Sequence, residues 1–123
     1  MVDTVFAQYG RPLVIHQLRV YEIFEHNKAD FHARFRDHAW RIMQTYGFRM
    51  LAAWDAMSEG RPEFVYLLEW PDVETMQQAW ERFLADDEWI RIKRETAALH
   101  GDLVGSVQQK VLDATPYSPN LLG

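Results

Sequence analysis

The sequence predicts an α+β domain, and three observations lead to that prediction. Four segments carry strand patterns, and segments of helical periodicity separate them in the order βαββαβ, with a short extra helix before the last strand. The two βαβ halves have similar lengths, and the first strand is apolar on both faces. Halves of this kind fold as a four-stranded antiparallel sheet with both long helices on one face, the ferredoxin-like arrangement.

The first half of the domain begins after a leader over residues 1–13, which contains a Gly and a Pro just before the first strand. That strand is predicted at residues 14–24. Asn27 is expected to cap the first helix, and Gly47 is expected to end it. Apolar residues recur at helical spacing between them, at Phe31, Phe35, Ile42 and Tyr46.

The second half starts with a predicted hairpin of strands at residues 48–57 and 63–70, joined by the turn sequence SEGRP. Asp72 is expected to cap the next helix. Its apolar stripe is predicted at Val73, Met76, Trp80 and Phe83.

A shorter helix then extends to about Leu99 and is predicted to turn Trp89 and Ile92 inward. Gly101 ends this helix, and the fourth strand follows at residues 103–112. These elements define one domain over residues 14–113, followed by a Pro-rich tail over residues 114–123 that is not expected to pair in the sheet.

Both faces of the first strand carry apolar side chains that need to be buried. Leu18, Val20 and Phe24 share one face, while Tyr21 and Ile23 share the other. Four strands of about six residues present roughly 400 Å² per face, a size at which an exposed apolar patch usually has a function. Helices cover one face, and a second copy of the chain, related by a two-fold axis, is expected to cover the other. The sequence therefore predicts a homodimer that pairs through its sheet faces, which the tail could extend to a higher oligomer.

Arg19 shares its face with Tyr21 and Ile23, so its direction depends on which face the helices cover. The face of Leu18 is more uniformly apolar, and we expect the helices to cover it. Arg19 would then point into the dimer interior, where an unpaired guanidinium is costly to bury. Glu69 on the neighbouring third strand is the expected carboxylate partner, within the subunit or across the dimer.

Composition and charge exclude several classes of function. The apolar fraction of 48% indicates a globular chain, and the absence of cysteine removes disulfides, thiol catalysis and Cys-type metal sites. A net charge of −5 disfavours nucleic acid as a partner. No apolar run approaches the ~20 residues of a membrane span, and the N-terminus does not resemble a secretion signal. We expect a cytoplasmic protein.

The usual catalytic and metal motifs are also missing from the sequence. The five histidines include no pair at the i, i+4 spacing that places two metal ligands on one helical face, so we expect no metal. Ser106 lies in a strand and lacks the G-x-S-x-G motif, and no Gly-rich phosphate loop occurs. The RNA-recognition fold shares the βαββαβ order, but the third strand lacks the Gly of its base-stacking motif. No cofactor is expected.

Several ordered segments resemble the NIPSNAP family: QLRVYEI in the first strand, YGFRMLAAWDA into the second, EFVYLLEWPDVETM in the third, and the closing TPYSP. The resemblance covers about residues 15–119. It implies a dimeric α/β barrel, whose wider superfamily includes cofactor-free monooxygenases, haem-binding enzymes and small-molecule isomerases. Family-like positions in this chain are Arg19, Tyr21, Trp54 and Pro119.

The functional prediction is a ligand site whose residues are Arg19, Tyr21, Trp54 and Glu69. We expect a small, largely apolar ligand between the paired sheets, with Arg19 as the anchor for a carboxylate or enolate oxygen and Tyr21 as a donor. A structural role for the same residues is the competing interpretation. Two alternatives remain open, a cofactor-independent monooxygenase or isomerase and a non-catalytic interaction adaptor. The sequence identifies no general base, so whether the protein is an enzyme stays undecided.

Overall fold

The computed structural model of the chain describes residues 13–119 and shows one sheet with the helices packed against a single face. Its four strands are Ile15–Ile23 (β1), Arg49–Ser58 (β2), Arg61–Trp70 (β3) and Val104–Leu112 (β4), and all pairings are antiparallel in the spatial order β2-β3-β1-β4. The predicted ferredoxin-like fold is therefore confirmed. The predicted leader lies almost entirely outside the described residues.

Three helices connect the strands. Helix α1 follows a 3₁₀ turn at Glu25–Asn27 and consists of Lys28–Arg34, a π-helical turn at Phe35–Ala39, and Trp40–Thr45. Helix α2 is Val73–Leu84, and helix α3 is Asp87–His100. The π-helical turn is not visible in the sequence pattern.

Most of the helix and turn signals have the predicted roles. Gly47 ends α1 with a φ of 88°, and Oδ1 of Asp72 accepts a hydrogen bond from the backbone N of Thr75 at 2.7 Å. Asn27 occupies the N-cap position of α1, but its side chain forms no capping hydrogen bond. Its Nδ2 donates to the carbonyl of Asp102 at 3.0 Å, and its Oδ1 is buried without a partner among residues 13–119. Val73 was predicted in the buried stripe of α2 but is exposed, and Ala79 is buried there.

The turn between β2 and β3 is shorter than the predicted turn SEGRP. Only Glu59 and Gly60 lie between the strands, and both have positive φ, 52° and 79°. Two-residue hairpin turns with positive φ at both positions match the right-handed twist of antiparallel strands. The strands consequently continue to Ser58 and from Arg61.

The face of the sheet that the helices cover carries Gln17, Arg19, Tyr21 and Ile23 from β1. Cross-strand pairing places Arg19 opposite Tyr66, and Tyr21 opposite Phe64, on β3. The expectation that the helices cover the Leu18 face is therefore wrong. Its physical reason is that β3 supplies most of the covered surface, through the buried side chains of Phe64, Tyr66, Leu68 and Trp70.

The core between sheet and helices is largely aromatic. Phe31 and Phe35 of α1 pack on Phe64, with ring centroids 5.1 and 4.7 Å apart. Phe83 of α2 packs on Phe48 and on Trp89 of α3. Trp89 and Ile92 are buried as predicted. Such edge-to-face and stacked contacts stabilise aromatic pairs beyond their burial.

None of the helices within residues 13–119 covers the other face of the sheet, which we call the open face and which has four cross-strand rows. The two central rows are mostly apolar, Trp54–Val65–Val20–Gln108 and Ala52–Leu67–Leu18–Lys110. Charged residues dominate both ends, with Arg49–Glu69–His16 at one end and Glu63–Glu22 at the other. Across residues 13–119, none of the helices has the length and apolar character needed to cross a membrane.

Candidate functional site

A polar cluster lies between the sheet and α2, and it consists of Arg19, Tyr21, Tyr66 and Trp80. We call it the arginine–tyrosine cluster. Strand β1 supplies Arg19 and Tyr21, which are two residues apart and therefore share a face. Strand β3 supplies Tyr66, directly opposite Arg19, and helix α2 supplies Trp80.

The guanidinium of Arg19 is held by aromatic groups. Its Cζ lies 4.1 Å from the ring centroid of Trp80 and 5.3 Å from that of Tyr21, both within cation–π range. Its Nη2 donates to the hydroxyl of Tyr21 at 3.2 Å, while Nε is buried and has no hydrogen-bond partner in the described part of the chain. No carboxylate within residues 13–119 lies within 4.0 Å of this guanidinium.

The charge of Arg19 is nevertheless retained. Burial acts to lower the pKa of Arg19, but the phenol oxygens of Tyr21 and Tyr66 outweigh burial, so the pKa lies above its ordinary value. Burial also raises the pKa of Tyr66 well above its ordinary value, which keeps that phenol protonated. The cluster therefore presents a permanent cation beside the protonated phenol of Tyr66.

Gln17 fixes the position of Trp80. The side chain of Gln17 is only 1% exposed, and its Oε1 accepts hydrogen bonds from the indole nitrogens of Trp80 at 2.8 Å and Trp70 at 3.0 Å. Its Nε2 donates to Oε1 of Gln109 on β4. Because one amide oxygen serves two indoles, Gln17 holds the Trp80 ring over Arg19.

A second guanidinium, that of Arg34 on α1, lies close to the cluster. Burial lowers the pKa of Arg34, and Tyr21 partly offsets that effect. Its Nη1 donates to the hydroxyl of Thr96 at 3.0 Å, and within residues 13–119 no carboxylate lies within 4.0 Å of it. Among the described residues, Arg19 and Arg34 are thus two cations without a carboxylate partner.

The cluster borders an uncovered part of the helix-side surface. On β4, Val107 is opposite Tyr21, Gln109 is opposite Arg19, and Val111 is opposite Gln17. All three β4 residues are exposed, Val107 by 49% and Val111 by 45%, although they face the helix side. The helices therefore leave a strip of β4 uncovered beside Arg19, with a valine on either side of Gln109.

The structure brings together only two of the four predicted site residues. Arg19 and Tyr21 belong to the cluster, whereas Trp54 and Glu69 lie on the open face, on the other side of the sheet. The predicted contact between Arg19 and Glu69 does not form within the chain. Glu69 pairs with Arg49 at 2.9 Å and lies 3.5 Å from His16, its opposite residue on β1.

Sequence reasoning missed the contributions of Gln17, Tyr66 and Trp80. Gln17 had a usable signal, since Gln17, Arg19 and Tyr21 alternate along one strand and so share a face. Tyr66 and Trp80 had none, because only strand register and helix packing place them there. Within residues 13–119, no three or more His, Asp or Glu side chains are grouped as metal ligands.

Comparison with known proteins gives the family. The NIPSNAP family model matches residues 16–119. The chain belongs to the NIPSNAP family. The two NIPSNAP structures below, at 21% and 13% identity, share its fold. No curated protein matches the chain in sequence.

Solved structures support the same fold. An uncharacterised NIPSNAP-like domain protein from Burkholderia xenovorans has a TM-score of 0.73 at 21% identity, covering 90% of this chain and 93% of its own. A NIPSNAP family protein of unknown function from Agrobacterium tumefaciens has a TM-score of 0.72 at 13% identity, covering 88% and 94%. SnoaB, a cofactor-independent oxygenase from Streptomyces nogalater, has a TM-score of 0.54 at 16% identity, covering 83% and 93%.

Proposed function

We propose that this NIPSNAP protein binds a small, largely apolar molecule whose acidic oxygen group is held by Arg19. The observation that carries the proposal is the state of that side chain. Its guanidinium is partly buried, keeps its charge, and has no carboxylate partner within residues 13–119. A desolvated cation of this kind favours an anionic ligand, because charge-assisted hydrogen bonds to carboxylates are stronger than neutral ones.

The proposed site lies on the helix side of the sheet rather than between paired sheets. This change follows from the direction of Arg19 and Tyr21, which both point toward the helices. The exposed side chains of Val107 and Val111 on β4 support an apolar body for the ligand, since pockets for small molecules combine apolar walls with a few polar groups.

A matched pair of aromatic probes tests the proposal. Naphthoate carries a carboxylate, and naphthamide has the same ring system with a neutral amide. We expect naphthoate to bind more tightly, and we expect Arg19→Met to remove this preference, because Met keeps an apolar stem but loses the charge. Titration followed by tryptophan fluorescence measures both affinities, since Trp80 lies on the guanidinium.

The control variant is Arg36→Met. Arg36 is exposed on α1 and pairs only with its neighbour Asp37 among residues 13–119, so its replacement removes one positive charge away from the cluster. It should leave the preference for naphthoate unchanged. Equal affinities for naphthoate in the wild type and in Arg19→Met would contradict the proposal. Native mass spectrometry of the purified protein gives an independent check through any acid that co-purifies.

We also propose that two copies pair through their open faces. The support is the pair of apolar central rows, which include Leu18, Val20, Val65 and Leu67 and are flanked by charged rows. In the single chain Trp54 at the edge of this surface is 49% exposed. Two such faces pack at about 10 Å, and a two-fold axis makes the same rows complementary.

Cofactor-independent oxygenation or isomerisation is a second candidate function. It is favoured by the fold shared with SnoaB and by Arg19, whose guanidinium would stabilise an enolate. Within residues 13–119, no carboxylate or imidazole forms a hydrogen bond to a member of the arginine–tyrosine cluster. Binding is therefore the better supported function. Oxygen consumption with an enolisable aromatic ketone would support the second candidate.

We propose a cytoplasmic location for this protein. The support is compositional, since a chain without cysteine forms no disulfide and gains nothing from an oxidising compartment. Fractionation of cells that produce the full chain would test it.

A further inference from the structure

The hydrogen bond between Tyr21 and Tyr66 has a direction that burial determines. The two hydroxyl oxygens are 2.5 Å apart, and Tyr66 is 0% exposed. Among residues 13–119, the Tyr21 oxygen is the only acceptor within hydrogen-bond distance of the Tyr66 hydroxyl. If Tyr21 were the donor, the proton of Tyr66 would be buried without an acceptor, which is unfavourable. Tyr66 therefore donates to Tyr21.

The proton of Tyr21 is consequently free. The Tyr21 oxygen already accepts from Tyr66 and from Nη2 of Arg19, and a phenol oxygen has two acceptor sites. Its own O–H must point elsewhere. Within residues 13–119, no other protein group forms a hydrogen bond with it.

A second donor without an acceptor lies beside the first. Nε of Arg19 is buried and has no hydrogen-bond partner among residues 13–119, and Nε shares one edge of the planar guanidinium with Nη2. Nη2 is the atom that contacts Tyr21, so the Nε–H and the Tyr21 O–H belong to the same region of the cluster. Two neighbouring donors match the two oxygens of one carboxylate.

We propose that the ligand is a monocarboxylic acid, with one oxygen accepting from Nε of Arg19 and the other from the hydroxyl of Tyr21. This inference rests on the proposed function and specifies its ligand. Tyr66 is a positioning residue, because its donated hydrogen bond directs the Tyr21 proton toward the ligand. Since Nε is shielded from solvent, an acid that reaches it must displace a neighbouring side chain, and Trp80 stacks on this guanidinium.

Whether Tyr66→Phe weakens or tightens naphthoate binding tests the direction of the hydrogen bond between Tyr66 and Tyr21. Tyr66→Phe should weaken naphthoate binding by about two- to fivefold, because hydrogen-bond chains polarise one another and the substitution removes the donor behind Tyr21. The opposite direction, with Tyr21 donating to Tyr66, predicts tighter binding, because the substitution would then free the Tyr21 proton. Unchanged or tighter binding overturns the inference.

Tyr21→Phe tests the donor itself. We expect it to weaken naphthoate binding by about ten- to hundredfold, as for loss of a hydrogen bond to a charged group. The affinity for naphthamide should change by less than the affinity for naphthoate, and thermal melting of each variant verifies that it folds. A merely structural role would weaken both probes equally.

The outcomes separate this inference from the proposed function. Wild-type affinity of Tyr21→Phe for naphthoate, together with weak binding by Arg19→Met, overturns the inference alone. Failure of the wild-type chain to prefer naphthoate over naphthamide overturns the proposed function and the inference with it.

Discussion

The helix-covered face and the open face of this sheet are both apolar at their centres, yet they place their polar groups differently. On the open face the charged residues form rows at the two ends, where oppositely charged partners such as Arg49 and Glu69 meet. On the covered face Arg19 lies at the middle of β1, among phenols and an indole.

This difference shows that apolar content alone does not identify the covered face. The covered face accommodates polar groups because these groups form hydrogen bonds with one another. Gln17, for example, accepts hydrogen bonds from two indoles. The interior of the covered face is filled by aromatic rings, which fit the space between sheet and helices. The central rows of the open face are mostly apolar, and we propose that a second sheet packs on them.

The largest expected effect comes from comparing neighbouring leucines on the two faces of β3. Leu68 is fully buried under the helices, whereas Leu67 is partly exposed on the open face. Leu68→Ala should lower the free energy of unfolding by about 2–5 kcal/mol, because it leaves a cavity in a packed core. Urea denaturation measures this loss.

Leu67→Ala is the matched control, and its cost to the single subunit should be about 1 kcal/mol or less. If the open face is a dimer interface, the remaining cost appears in the dimer dissociation constant. Equal subunit costs for both substitutions would contradict the difference between the faces.

A smaller effect is expected from Gln17→Leu, which changes the polar part of the covered face. The substitution preserves side-chain size but leaves two indole N–H groups without their acceptor, one of them on the fully buried Trp70. We expect a loss of about 1–3 kcal/mol in the free energy of unfolding, as for a buried donor left unsatisfied.

The control for this prediction is Gln108→Leu. Gln108 is exposed on the open face of β4, where the same change of chemistry removes no indole partner. Thermal or urea denaturation of both variants gives the comparison. A cost for Gln17→Leu no larger than that for Gln108→Leu would show that the indole hydrogen bonds contribute little.

The smallest effect on the fold is expected from Leu67→Lys, although its effect on assembly should be large. The side chain is partly exposed in the single chain, so the subunit should lose about 1 kcal/mol or less. A lysine at the centre of two facing sheets would be buried and unpaired, which strongly disfavours pairing. Sedimentation equilibrium should show a dimer for the wild type and a monomer for the variant.

Gln77→Lys on the exposed side of α2 is the charge-matched control and should remain dimeric. A monomeric wild-type protein at micromolar concentration would contradict the proposed pairing. A Leu67→Lys variant that sediments with the same dimer mass as the wild type would also contradict it.

The sequence by itself determined the order of the elements and most of their ends. Helical periodicity, the cap at Asp72 and the glycine at Gly47 are local signals, since they depend on a few neighbouring residues. It also placed Arg19 and Tyr21 on one face, because side chains alternate along a strand. These predictions needed no knowledge of the neighbouring strands.

Only the tertiary structure decided which face Arg19 occupies and which residues surround it. A strand that is apolar on both faces carries no signal for inside and outside, so the pairing of Arg19 with Tyr66, and of His16 with Glu69, had to come from the register of β1 on β3. Helix packing then placed Trp80 on the guanidinium. The site is therefore non-local: its residues lie on two strands and one helix, far apart in the chain.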